Sequence, residues 1–370
     1  MDIRVGLIIN PFAGLGGPAA LRGSDGVVDE AIRRGGVVRA IQRAVEALSA
    51  LGPLADSLKI LTGSGALGAE AAAAAGLQHI VVYEGGSPTT SADTAALTTA
   101  LIGMKPDLIL FAGGDGTARD ILGRLTEQLP ALGIPAGVKM YSGVFATTPQ
   151  GAGNLALQFL RSPARRTRQV EVMDVDEERL RQDSIAPELF GYMTSPEDAR
   201  LLQGKKLRSL PGEAFHTIAI AEFIVETMDA ERFYFVGPGS TTWSLKQKLS
   251  GQASMLGVDV YQGRKLIARD AMASDLERMT AHQKALALVT CIGGQGHIFG
   301  RGNQQFSARV LTVLGREGVK VLATSNKLAT LKGRPFIADV GDAQAAANVT
   351  GFVKVVTGYR SESYYRCEAV

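Results

Sequence analysis

The sequence has only two cysteines, Cys291 and Cys367, and a single tryptophan, Trp243, in 370 residues. Two thiols supply no disulfide framework, so the scaffold must come from an ordinary apolar core, and a reducing compartment fits. Histidine is scarce as well: His79, His216, His282 and His297 stand far apart and lack ligand spacing, which argues against a histidine-built metal centre. No apolar run approaches the ~18 residues needed to span a bilayer, and "MDIRVGLIIN" opens with an acid and too short an apolar run for a signal peptide. A cytoplasmic protein is expected, with no membrane partner. Charge of one sign is missing too. The net formal charge is +3, and the arginines at 161, 165, 166 and 168 are followed at once by the acidic "EVMDVDEER". That reads as a solvated surface segment, and no nucleic-acid partner is expected.

What the chain does have is glycine, 44 residues of it, and apolar residues at 46%. The first 145 residues or so alternate short β-branched runs with helical ones. "RVGLII" reads as a buried parallel strand, "LKILT", "HIVVYE" and "DLILFA" as further strands, and the stretches between them as helices, one of them "SADTAALTTALIG" with Ser91 as its N-cap. This alternation predicts an open parallel α/β sheet. Later, "HTIAIAEFIVE", "RFYFVG", "MLGVDVYQG", "KALALVTCIGG", "VKVLAT" and "GFVKVVTG" read as strands between Gly and Pro turns, predicting a β-rich second domain. The expected boundaries are 1–146 for the first domain, 147–345 for the second, and 346–370 for a C-terminal segment that returns to the first.

One stretch raises a chemical question. In "LILFAGGDGTARDIL" (108–122) an apolar strand runs into glycines around a single acid, Asp115. In an open α/β sheet ligands bind beyond the carboxyl ends of strands, and glycines let backbone N–H groups come close to them. Thr117 to Asp120 match a capping box, so a helix starting at Thr117 is expected, its free N–H groups and dipole favouring phosphate. Asp115 is then an acid held against a phosphate site, suited to accept a proton from an attacking hydroxyl or to meet Mg²⁺. A plain Asp-Gly turn explains the five residues equally well when they are taken alone. Gly14, Gly16 and Ala19 also fit a loose dinucleotide fingerprint, but Pro11 and Pro18 bracket that loop and no acid ends the second strand.

Resemblance adds to this reading. "GGDGT" resembles the motif of the superfamily of NAD kinases, diacylglycerol kinases and sphingoid kinases. "IINPFAGLGG" (8–17), "LGIPAGVKMY" (132–141) and "GPGSTTWSL" (237–245) are similar to further NAD kinase motifs in the same order. "PTTSADT", "GVKMYSGVFAT", "LGVDVY" and "GGQGHIFGRGNQQFS" resemble the ATP-NAD kinase-like family that includes the acetoin-catabolism protein X. The resemblance implies an NAD kinase-like fold, phosphoryl transfer from ATP or polyphosphate to the adenosine-ribose 2′-hydroxyl of NAD, Mg²⁺ carried with the phosphates, and a homo-oligomer. It implies Asp115 as the catalytic residue, with phosphate or nucleotide held by Asn10, Gly113, Gly114, Gly116, Thr117 and Arg119. Arg301 is read from the residues instead: on the glycine-rich turn of "GGQGHIFGRGNQ" its planar fork can clamp a phosphate, and a structural hairpin explains the turn equally well. The acceptor would lie against Gly239, Ser240, Thr241, Thr242 and Trp243.

The chain departs from NAD kinases in two places. The Asn-Glu pair that holds the adenosine ribose has no clear equivalent between 155 and 215, and Trp243 stands where tyrosine is usual. "PQGAGNLALQF" (149–159) is similar to a lipid-kinase motif. Two other readings therefore stay open: a kinase of another hydroxyl acceptor, lipid-like or nucleotide, and a non-catalytic nucleotide-binding accessory protein.

Overall fold

The computed structural model describes residues 3–21, 28–125, 128–138, 140–174, 188–197, 213–281 and 284–370, with the side chains of 213 and 214 outside the description. His282 lies outside the described residues. The chain divides into two compact units: 1–15, 23–28 and 37–205 in the first, and 16–22, 29–36 and 206–370 in the second.

The first unit is built on a parallel sheet of β1 (Ile3–Ile9), β2 (Leu58–Gly63), β3 (His79–Tyr83), β4 (Leu108–Gly113) and β5 (Ala131–Pro135), ordered β3-β2-β1-β4-β5. The central strands are apolar at nearly every position because both faces are covered. Val5, Leu7 and Ile9 pack with Leu110 and Ala112 against α2 (Ala40–Ser49), α3 (Ala69–Ala74) and α6 (Pro149–Arg161). On the other face Ile8, Ile109 and Phe111 meet α4 (Ser91–Gly103) and α5 (Asp115–Leu122). Alternate residues thus feed two separate cores, as the period of a strand requires. A hairpin of β6 (Thr167–Asp174) and β7 (Glu188–Pro196) adds Val170, Val172 and Met193 to the second core.

The second unit carries a mixed nine-stranded sheet. Its strands are β8 (Phe233–Val236), β9 (Asp259–Gln262), β10 (Lys265–Ala268), β11 (Ala285–Val289), β12 (His297–Phe299), β13 (Val319–Leu322), β14 (Phe336–Ala338), β15 (Gly351–Gly358) and β16 (Ser361–Ala369). Their order is β10-β9-β8-β11-β13-β15-β16-β14-β12, with β8, β11, β13 and β15 mutually parallel. Its helices are α7 (Glu213–Glu226), α8 (Ser240–Leu249), α9 (Ala273–Thr280), α10 (Ala308–Leu314), α11 (Ser325–Ala329) and α12 (Ala343–Ala347); α1 (Val28–Arg33) lies in the segments before α2. A parallel N-terminal sheet with flanking helices and a strand-rich C-terminal sheet are the architecture expected from the sequence.

Several local expectations are corrected. "HTIAIAEFIVE" is not a strand but most of α7. Ile220, Ala221 and Ile224 are buried at helical spacing, while Phe215 and Ile218 on other faces are exposed and blur the period. Helix α4 is capped by Thr90, not Ser91, with Thr90 and Asp93 forming the capping box. Helix α5 begins at Asp115 with Gly114 as N-cap, two residues before the expected start, and ends at Leu122. The boundary expected at residue 146 falls inside the first unit, because α6 packs there on α2. The segment after 345 does not return to the first unit; it supplies β15 and β16 to the second sheet.

Candidate functional site

In the first unit the chain order reverses between β1 and β4, whose next strands, β2 and β5, lie on opposite sides. Loops leaving such neighbours diverge and open a crevice at their carboxyl ends. Asn10 follows β1 there, and Gly113–Thr117 follow β4. The Asn10 backbone N–H donates to the Ala112 carbonyl at 2.9 Å, and its side-chain amide donates to the Thr117 hydroxyl at 3.2 Å. Asn10 Oδ1 accepts from the Phe12 N–H at 3.1 Å, which curls the loop. Asn10 and Thr117, both expected at the site, are therefore brought together.

Glycine serves close approach here. A Cβ on Gly14, at φ +80°, would sit 2.2 Å from the Ala136 carbonyl oxygen, and one on Gly137 would sit 2.8 Å from Gly114 Cα. Loops after β1, β4 and β5 can meet only without those side chains. Gly113 has a different reason, since its missing Cβ would lie 2.5 Å from Thr117 Cβ. That residue is glycine to let the first turn of α5 fold back on β4.

Asp115 is the first residue of α5 and is buried, 6% exposed. Tyr141 donates its backbone N–H to Asp115 Oδ2 at 2.6 Å; Ser142 donates its N–H at 3.0 Å and its hydroxyl at 2.6 Å to Oδ1. The Met173 N–H in turn donates to the Ser142 oxygen at 3.0 Å, fixing that hydroxyl on β6. Burial pushes the Asp115 carboxyl up to about 7, although Ser142 and Tyr141 pull the other way; the nearby Asp174 adds to the rise. Arg119 donates to Asp174 Oδ2 at 2.7 Å and stacks over Phe190 at 5.5 Å. The result is an acid able to take up or give up a proton near neutrality, beside an arginine–aspartate pair at the start of a helix whose first N–H groups attract anions. Ser142 and Asp174 were not among the expected residues. Asp174 was visible only as part of an acidic run read as solvated surface, and Ser142 only inside the quoted "GVKMYSGVFAT", with no role assigned to it.

The other expected residues lie in the second unit. Gly239, at φ +130°, is the N-cap of α8, and its missing Cβ would lie 2.4 Å from Thr290 Cγ2. Ser240 to Trp243 form the first turn, closed by the Trp243 N–H donating to the Gly239 carbonyl at 2.8 Å and the Thr242 hydroxyl donating to the same oxygen at 3.0 Å. Arg301 is buried in the loop after β12. Beyond that first turn, Lys246 is wholly buried and paired with Asp259 at 3.0 Å, and donates to the Ser254 and Gly257 carbonyls at 2.8 Å each. Asp259 accepts from the Ser254 and Asp270 N–H groups at 2.8 Å. A buried pair satisfied in this way pins the chain after α8.

The lipid-kinase-like "PQGAGNLALQF" forms α6. Gly151 donates its N–H to the capping Thr148 hydroxyl at 2.9 Å, and a Cβ on Gly153 would lie 2.0 Å from the Ala47 carbonyl oxygen. Packing on α2 accounts for the glycine at 153, while the cap needs only the backbone N–H at 151.

An α/β unit with a buried acid at a glycine-rich switch point, joined in sequence to a strand-rich unit, places a ligand crevice at the carboxyl ends of β1 and β4. Residues 5–163 match the family model of the ATP-NAD kinase N-terminal domain and residues 229–367 that of the ATP-NAD kinase C-terminal domain. The chain belongs to the ATP-NAD kinase family. No curated protein matches it. Among solved structures, a conserved domain protein from Vibrio cholerae O1 biovar El Tor is similar at 11% identity over 97% of this chain and 81% of that one, with a TM-score of 0.26, too low to carry an argument. No helix among the described residues is long and apolar enough to cross a membrane.

Proposed function

We propose that the protein phosphorylates the adenosine-ribose 2′-hydroxyl of NAD, giving NADP, with ATP or polyphosphate as donor. The observation that carries the reading is Asp115, a buried acid at the start of α5 whose carboxyl is raised to about 7. A general base works best when its pKa lies near the working pH. In this reading Asp115 Oδ2 accepts the hydroxyl proton as the acceptor oxygen bonds to the transferred phosphorus and the donor oxygen leaves. The Tyr141 and Ser142 donors hold the carboxylate in one orientation throughout.

Phosphoryl transfer has a loose transition state, so positioning and charge neutralisation account for most of the acceleration. The first turn of α5, with Gly114, Gly116 and Thr117, would hold donor phosphate; Arg119 is kept beside it by Asp174. Gly239, Ser240, Thr241, Thr242 and Trp243 would hold the acceptor, and Arg301 would contact phosphate. Among the described residues no group of three or more His, Cys, Asp or Glu side chains is placed to hold a metal. Magnesium needs few protein carboxylates when phosphates supply its ligands, so Mg²⁺ carried with the donor leaves the proton-accepting role to Asp115. Bound with the donor, Mg²⁺ would neutralise the charge of its phosphates.

The test is direct. Purified protein incubated with Mg²⁺, NAD and either ATP or polyphosphate should form NADP. Binding of nucleotide without any NADP would turn the reading to the accessory protein, and phosphorylation of a different hydroxyl compound would turn it to another acceptor.

A further inference from the structure

Ser142 stands where a single hydroxyl has more partners than it can serve at once. It follows β5 in the chain and is wholly buried. Its Oγ lies 2.6 Å from Asp115 Oδ1 and 2.9 Å from the Met173 carbonyl oxygen, and it accepts from the Met173 N–H at 3.0 Å. A serine hydroxyl has one hydrogen and two lone pairs. The Met173 N–H occupies one lone pair, so one hydrogen and one lone pair remain to face two oxygens.

The charge on Asp115 decides between them. Ionised Asp115 can only accept, so the serine hydrogen points at Oδ1 and makes a charge-assisted bond there. Asp115 protonated on Oδ1 becomes a donor at that oxygen. Its O–H then meets the open serine lone pair, and the serine hydrogen turns to the Met173 carbonyl. Neither state strands the buried hydroxyl, and no heavy atom has to move. On the other side of the carboxyl, Oδ2 accepts from the Tyr141 N–H at 2.6 Å. The charged groups beside it, among the described residues, are Asp174 at the end of β6 and Arg119 on α5, which donates to Asp174 at 2.7 Å and reaches Asp120 at 3.9 Å. The Tyr141 phenol, pushed up to about 12 by burial, stays neutral.

We propose that Ser142 is the positioning residue of Asp115: it donates to the carboxylate, accepts from the protonated carboxyl, and in that second state gives its hydrogen to Met173. The Oδ1 side is thereby satisfied in both states, and Oδ2 is the oxygen left to meet the acceptor hydroxyl. The proton that distinguishes the states is exchanged with water, and no other covalent bond forms or breaks. The consequence for turnover rests on the reading of Asp115 as the base; the hydrogen-bond switch does not.

The experiment measures urea midpoints of the full chain from about pH 4 to 9 for wild type, Ser142→Ala and Ser142→Thr, with Asp115→Asn as the reference that cannot titrate. The pH at which each difference from Asp115→Asn levels off reports the Asp115 carboxyl without any substrate. Ser142→Ala removes a bond from either state, and the charge-assisted one is about twice as strong as the neutral one. The titration should therefore move up by about one pH unit, and the chain should lose stability on both sides of it, more on the alkaline side. Ser142→Thr keeps the hydroxyl and should bring the titration back, even where its methyl lowers every midpoint. A loss confined to the alkaline side overturns the switch, because Ser142 is then a donor to the carboxylate alone. An equal loss at every pH with the titration in place also overturns it and marks a purely structural role. The two readings fail separately. A shifted titration in a chain that forms no NADP keeps Ser142 and rejects the kinase. NADP formation whose acid limb is the same in Ser142→Ala keeps the kinase and rejects Ser142.

Discussion

Asp115 carries its carboxyl where little water reaches it, and that sets the pH dependence of the proposed transfer. As the proposed base Asp115 must be unprotonated to act, so with its carboxyl raised to about 7 kcat/KM should show an acid limb near 7. Replacing Asp174 by Asn removes a neighbouring like charge and leaves Arg119 without its carboxylate, both of which favour ionised Asp115. The limb should move to lower pH; a profile that stays in place would deny Asp174 this influence. Linkage fixes a second sign. The native carboxyl binds its proton more tightly than the unfolded one, whose ordinary value is 3.8, so stability from this group is present below about 4 and is lost as the pH rises through 7. Asp115→Asn cannot titrate, and urea midpoints measured across that window should lack the fall while turnover drops by ~10²–10⁴-fold. The acid itself was legible in "GGDGT", but its surroundings were not. Ser142 lies 27 residues away and is brought to it by the path of the chain after β5, which no local spacing encodes.

At the scale of elements, α6 shows how packing can overrule propensity. Alanine in a helix interior is favoured over glycine by about 1 kcal/mol. A Cβ on Gly153, however, would lie 2.0 Å from the Ala47 carbonyl oxygen in the last turn of α2 and 2.8 Å from Cβ of Ala50, its C-cap. Backbone cannot swing aside as a side chain can, so overpacking at a typical cost of ~1–3 kcal/mol should win. Gly153→Ala is expected to lower the urea midpoint, whereas Gly103→Ala, at the end of α4 with nothing within 4 Å of its Cβ, should leave it unchanged or raise it. Equal behaviour of the two variants would remove the packing explanation. The same contest explains what could be read beforehand. Strands β4 and β11 were legible because burial on both faces demands uninterrupted apolar residues. Helix α7 was not, since its β-branched, apolar residues satisfy a strand pattern and only tertiary packing picks out Ile220, Ala221 and Ile224. The start of α5 was missed for a related reason: the threonine that seemed to open a capping box is engaged by Asn10 instead.

At the scale of the molecule, chain order and unit composition do not coincide. The second unit comprises 206–370 but also 16–22 and 29–36 from near the N-terminus. Those early residues are fitted into it: the Pro18 carbonyl accepts from the Ala273 N–H at 3.1 Å at the start of α9, and a Cβ on Gly17 would lie 2.9 Å from the Gln304 side chain. A boundary read from texture alone could not reveal this, because a short glycine-rich loop looks the same whichever unit it serves. The consequence can be measured. Trp243, the only tryptophan, lies in the second unit, so its emission follows that unit alone during unfolding. A fragment of residues 206–370 loses the capping bond at α9 and leaves the groups it covered to water or unsatisfied. Its tryptophan-detected urea midpoint should therefore fall below that of the full chain. Each lost backbone hydrogen bond in such a setting is worth about 0.5–1.5 kcal/mol, enough to separate the two curves. Coincident midpoints would show that residues 16–22 and 29–36 contribute nothing to the second unit's stability.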